Sequence, residues 1–216
     1  MSSTVAAMRE SQTAEARPYH HGDLSRALID AARRLLEAEG PSALSLRAVA
    51  REAGVSPAAP YHHFKDKAEL LNAVAHEGWV LLDAAIVKAR TAAPSPREAM
   101  SDIGVAYVCF ARENPALYRV MYDTSRDREA LPEAVQQRDD SAYCKVRATL
   151  IEAGADPADE VNLELATVAA WCSAHGLAEM AGFKQFDALK EACGGESAFF
   201  KAVFQHMGVV RAALGD

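Results

Sequence analysis

The sequence predicts an all-α protein, a small N-terminal three-helix unit followed by a larger helical body. Three observations lead there. Apolar residues recur at spacings of three and four through most of the 216 residues. No run of Val, Ile, Thr and aromatics alternates as a strand would. Breaks at Gly40-Pro41, Ala93–Pro96, Asn114-Pro115, Leu131-Pro132, Gly154–Pro157 and Gly194-Gly195 cut the chain into helix-length pieces. Half of the residues are hydrophobic and a quarter charged, the balance of a globular chain able to bury a substantial core. No internal repeat is visible.

Residues 1–16 are small and polar without an apolar period, and are expected to form a disordered leader. From Asp23, expected as N-cap, the residues Leu24, Leu28, Ala31, Leu35 and Leu36 make a helical stripe that Gly40-Pro41 ends. A short helix follows from about Leu46 to Ala53, capped by Ser45, with Gly54 just past its end in the left-handed region. Ser56-Pro57 is expected as N-cap and first helical position of a third helix over 57–64. Asp66 caps a long helix to about Ala92, with Leu70, Leu71, Val74, Leu81 and Leu82 on its apolar face. Further helices are predicted over 97–113, 115–122, 128–153, 157–181 and 196–214.

The formal net charge is −7, but it is unevenly spread. Residues 1–67 hold nine Lys/Arg against eight Asp/Glu, and residues 68–216 hold 14 against 22. A neutral-to-basic head on an acidic body is compatible with nucleic-acid binding through the head. Cys109, Cys144, Cys172 and Cys193 are far apart and form no C-x-x-C pair, which argues against structural zinc. No apolar run reaches the ~18–20 residues of a membrane span, and the N-terminus lacks the apolar core of a secretory signal. The expectation is a reduced, soluble, cytoplasmic protein with no membrane partner, no metal and no cofactor.

Three short helices with the turn "AGVS" between the second and third make a helix-turn-helix, burying Ala50, Val55 and Phe64 and leaving one face of the third helix free for a major groove. The stretch "LSLRAVAREAGVSPAAPYHHFKDKAELL" resembles the DNA-binding domain of the tetracycline-repressor (TetR) family of transcriptional regulators. The A-x-x-A-G-V-S turn, the Y-x-x-F end of the third helix and the K-x-K-x-x-L opening of the next carry the likeness, which covers about residues 17–75. The resemblance implies a DNA-binding domain over 17–66 and a ligand-binding and dimerisation domain over 67–216.

Roles follow for a double-stranded operator. Pro57, Ala58 and Ala59 are short enough to approach base edges and suit thymine methyls. Tyr61 and His62, one turn on, can reach bases or phosphates, and His63 phosphate. Arg47 and Lys67 would hold the flanking backbone, and Ser45 and Ser56 would add phosphate contacts beside helix N-termini. Pro60 departs from the family pattern: it forfeits the hydrogen bond to the Ser56 carbonyl, so a tighter or bent helix start is expected. Arg17, Tyr19, His20 and His21 form either a minor-groove arm or a solvated leader.

In the body, "AWCSAHGLAEM" (170–180) and "ENPALYRVMY" (113–122) resemble a TetR C-terminal subclass marked by a Trp-His-Gly segment. Trp171 and His175 lie four apart and share a helix face. Tyr107, Phe110, Met121, Trp171 and His175 are candidates for the walls of a pocket for a largely apolar effector, the alternative being that they are ordinary core. The resemblance makes about 157–181 and 196–214 the homodimer helices. The expected function is a ligand-responsive repressor, not an enzyme, that binds a palindromic operator as a dimer and is released by a small molecule. Alternatives are a helical carrier or enzyme, for which no G-x-S-x-G, H-E-x-x-H or phosphate-binding glycine loop is present, and a cysteine-based redox sensor.

Overall fold

A computed structural model describes residues 21–126 and 141–208. The proposed leader, the arm residues Arg17, Tyr19 and His20, the first half of the helix expected over 128–153 and the end of the last helix lie outside them. Among the described residues the chain is helical and contains no strand.

Helix α1 (His21–Glu39) buries Leu28, Ala31, Ala32, Leu35 and Leu36, the stripe that its spacing predicts. The described helix already includes Asp23, the residue expected as its N-cap. Helix α2 (Leu46–Glu52) begins where Ser45 Oγ accepts the Ala48 N–H at 3.1 Å. It ends with the Val55 N–H on the Ala50 carbonyl and the Gly54 N–H on that of Arg51. This closure requires Gly54 at φ +70°, where a side chain is strained.

The third element differs from expectation. Instead of a helix over 57–64 there is one 3₁₀ turn, Ala59–His62. Pro60 has no N–H to give the Ser56 carbonyl, which accepts the Ala59 N–H at 3.0 Å instead, and the Ala58 carbonyl likewise takes the Tyr61 N–H three residues on. No side chain caps this turn, so Ser56 contributes its carbonyl and not its hydroxyl. Pro60 and Phe64 point inward and are buried.

Helix α3 (Lys67–Ala92) is the axis of the fold. Asp66 Oδ1 accepts the Glu69 N–H at 2.8 Å, and Glu69 Oε2 accepts the Lys65 N–H at 2.8 Å, so the helix start is fixed from both sides. It packs against α1 and against three helices of the body: α4 (Pro96–Glu113), α5 (Pro115–Arg126) and α6 (Ala142–Glu152). By length and composition α3 could cross a bilayer, yet nearly half of that apolar window is buried inside the protein.

Helix α7 (Glu160–Met180) starts three residues later than predicted, at an Asp159 cap whose Oδ1 accepts the Asn162 N–H. A 3₁₀ turn (Lys184–Phe186) and α8 (Asp187–Ala192), neither predicted, lead to α9 (Glu196–Met207). One apolar core runs from Leu28 and Val49 in the head to Leu150 and Leu163 in the body. A second cluster, centred on Val108, Leu177, Phe199 and Phe200, fastens α9 to α4 and α7.

Candidate functional site

The head leaves most of the residues expected at DNA exposed. Ser45, Arg47, Ser56, Pro57, Ala58, Tyr61, His62 and Lys67 are exposed, while Ala59 and His63 are half-buried. Tyr61 is 53% exposed, unusual for a large aromatic. Neighbouring acids have local partners: Glu52 pairs with Arg34 at 2.8 Å, Asp66 caps α3, and Glu69 holds the Lys65 N–H. Among the described residues Arg47, Arg51 and Lys65 make no ion pair, which leaves three cations open to an anionic partner. Lys67 Nζ donates to the Pro41 carbonyl at 2.9 Å, which ties the start of α3 to the α1–α2 connection.

The body encloses a narrow cavity of about 40 Å³ between α3, α4, α6, α7 and α9. Ile86, Met100, Ile103, Val146, Ala170 and Ala174 give it apolar walls; Ser101 of α4 and Ser173 of α7 are its small polar groups. Tyr107, Trp171 and Phe204 supply aromatic rings, and Gly104 a stretch of bare backbone. Of the five pocket candidates, two line this cavity, Tyr107 and Trp171. Their rings meet edge to face with centroids 5.6 Å apart. The other three are placed differently. Met121 is fully buried on α5, where it packs over Gly78 of α3, and no described residue of α5 lines the cavity. Phe110, less than one turn beyond Tyr107, borders a groove between α3 and α4 instead.

His175 lies behind the Tyr107 wall in a partly buried polar cluster. The Tyr118 hydroxyl is 2.5 Å from His175 Nδ1, and the Tyr107 hydroxyl is 3.2 Å from the same nitrogen, 3.3 Å from the Tyr118 hydroxyl and hydrogen-bonded to that of Tyr122. Tyr122 also packs on the imidazole at 4.4 Å and meets Trp79 edge to face. Burial pushes the Tyr107 and Tyr118 hydroxyls well above the usual phenol range, and Tyr122 up to about 12. The three phenols are therefore protonated, and they share hydrogen bonds with one another and with His175 beside the cavity.

Among the described residues no three His, Cys, Asp or Glu side chains converge as a metal site. The four cysteines are unbonded, and burial pushes the Cys109 thiol up, away from the thiolate that redox chemistry uses.

Comparison with known proteins decides the family. Residues 28–74 match the family model for bacterial regulatory proteins of the tetR family, and residues 100–207 match that for the tetracyclin repressor-like C-terminal domain. The chain belongs to the TetR family of transcriptional regulators. This TetR regulator is 36% identical over 107 residues to the HTH-type transcriptional regulator BetI of Rhizobium meliloti (strain 1021). That match covers 48% of this chain and 53% of BetI, so the chain spans about half the length of that relative. Among solved structures, a protein with unknown function from Rhodococcus sp. RHA1 is 30% identical with a TM-score of 0.67, over 89% of this chain and 97% of that one. The TetR family transcriptional regulator PfmR from Thermus thermophilus shares the fold, with a TM-score of 0.58 at 24% identity over 84% and 93% of the two chains.

In this TetR regulator the Trp171–His175–Gly176 segment falls inside the matched C-terminal region. Sequence reasoning missed Ser101, Gly104, Ser173 and Phe204 as cavity residues. The local signal was present only for Gly104, an isolated glycine inside a helical pattern, which points to a close neighbour.

Proposed function

We propose that this chain is a ligand-responsive repressor that binds a palindromic operator as a homodimer in the cytoplasm and is released when a small, largely apolar molecule enters the cavity. DNA would be contacted by Ser45, Arg47, Ser56, Pro57, Ala58, Ala59, Tyr61, His62, His63 and Lys67, and the effector by Tyr107 and Trp171, with His175 hydrogen-bonded to Tyr107 behind that wall.

One observation supports this reading above the others: the helices that wall the cavity also carry an uncovered apolar face. On α7, Trp171 and Ser173 line the cavity while Val161, Leu165, Val168, Cys172 and Met180 face outward. Val161 is 72% exposed and Leu165 64%. A Cβ built at Gly176 meets nothing within 4 Å, which leaves room there for the helix of a second copy. Exposed apolar stripes of this kind mark association surfaces, and a two-fold pairing would set two reading heads on one operator. A ligand that shifts α7 or α9 thereby alters head spacing, which couples the two sites reciprocally.

Selection of bound sequences from random duplex DNA by the purified protein, at near-physiological salt, tests the reading. Recovery of a palindrome, with a sedimentation mass of two chains, is the expected result. Recovery of unrelated sequences by a protein that remains monomeric would end it.

A further inference from the structure

We propose that the effector is a neutral, flat molecule of one or two aromatic rings, and that Phe204 is the side chain it displaces on entering. The proposal rests on the repressor reading for its biological meaning but on the cavity alone for its chemistry.

The wall sets the charge. Among the described residues no Lys, Arg, Asp, Glu or His lines the cavity. Charged residues adjoining it in sequence are already matched: Asp102, between Ser101 and Ile103, is held by Lys201 at 2.6 Å, and Lys145, next to Val146, holds Asp83 at 2.6 Å. An ionic ligand would leave water and find no counter-charge, a loss that a few dipoles do not repair. The Ser101 and Ser173 hydroxyls can serve one neutral donor or acceptor on the ligand.

The shape follows from Gly104 and Phe204. A Cβ built at Gly104 would lie 2.7 Å from the Phe204 ring carbons, so the ring of α9 rests on the bare backbone of α4. That slot is one aromatic ring thick, and the protein's own ring fills it. The space that remains, about 40 Å³, admits water but is too small for an aromatic ring. A ligand ring therefore needs the Phe204 position, and Phe204 can yield it because it is only half-buried, at the rim. Trp171 and Tyr107 then offer ring faces and edges to a flat guest.

The test titrates the full-length protein at pH 7 with three probes on one flat ring system, each with a slim substituent: 2-naphthol, 2-naphthoate and 2-naphthylmethylammonium, followed by calorimetry. The neutral naphthol is expected to bind, and each ion to bind about tenfold more weakly or worse. Phe204→Ala should tighten naphthol binding about fivefold or more, with Phe204→Leu between it and the parent, because the displacement is made in advance. Melting curves of each variant establish that it is folded. The proposal is overturned if either ion binds as well as naphthol, if naphthol fails to bind the parent and both variants at millimolar concentration, or if the folded Phe204 variants bind naphthol no better than the parent. DNA selection is independent of all three results. A palindrome without naphthol binding removes this inference and leaves the repressor; naphthol binding without selected DNA does the reverse.

Discussion

Glu77 of α3, only 7% exposed, holds the Arg26 guanidinium of α1 at 2.5 Å. The same carboxylate oxygen also takes Arg33 of α1 at 3.4 Å. A buried acid in the axial helix is thus matched by two cations of the N-terminal unit, so the two parts of the molecule are joined by charge as well as by apolar packing. Glu77→Gln keeps the shape and removes the charge. Because Arg26 is mostly solvent-exposed, the cost is expected at the lower end for charged hydrogen bonds, about 1–2 kcal/mol. The urea midpoint should fall with an unchanged slope; an unaltered midpoint would show that the joint is apolar alone.

Lys67 and Tyr61 allow two kinds of proposed contact with DNA to be tested apart. Lys67→Ala removes one cation at the head, so operator affinity should drop and the salt slope should flatten by about one. It also removes the bond to the Pro41 carbonyl, an exposed contact whose loss should shift melting little. Tyr61→Ala should weaken binding with the salt slope unchanged, because the ring is exposed and carries no charge. Filter binding at three salt concentrations distinguishes them, and unchanged affinity in both variants would place the contact surface elsewhere.

The buried tyrosines predict an alkaline limit. In an unfolded chain tyrosine ionises near about 10, whereas folded Tyr122 keeps its proton to about 12 and burial holds Tyr107, Tyr118 and Tyr143 higher still. Above about pH 10 the unfolded chain has released protons that the folded one retains. Stability is therefore complete below about pH 10 and falls as pH rises through about 10–12. Phenolate absorbance from these side chains should grow together with the loss of helical circular dichroism; growth at full helicity would mean that the cluster admits hydroxide.

Leu165 lies on the uncovered face of α7 and contributes little to its own core. Leu165→Glu should leave melting of the isolated chain nearly unchanged and convert a dimer to a monomer by sedimentation at micromolar concentration, since a charge would be buried without a partner in the pair. A dimer that survives would move the interface off α7.

Local rules made much of this fold legible. Ser45 and Asp66 announced their caps, the 28/31/35/36 spacing gave the buried stripe of α1, and Gly54 marked its left-handed turn. Pro60 was visibly a lost donor, but the collapse of a whole helix to a single turn depends on the length left for recovery: four residues later Phe64 must already turn inward. Helix α8 escaped because its six residues, none of them buried, carry no apolar period. The cavity was half legible. Trp171 and Tyr107 are large aromatics on apolar helices, whereas Phe204 meets Gly104 from a helix far along the chain, a contact that no local pattern encodes.

On the proposed reading, the 3₁₀ turn at Ala59–His62 also limits how much base sequence the recognition element can read. Four residues rising ~2 Å each span about 8 Å, little more than two base steps at ~3.4 Å. A tip that short inspects few letters per half-site. Discrimination is then expected to fall to geometry, to the distance between half-sites and the stiffness of the DNA between them. Such an operator tolerates spelling changes better than insertions, and a genome search for it should weight spacing above consensus.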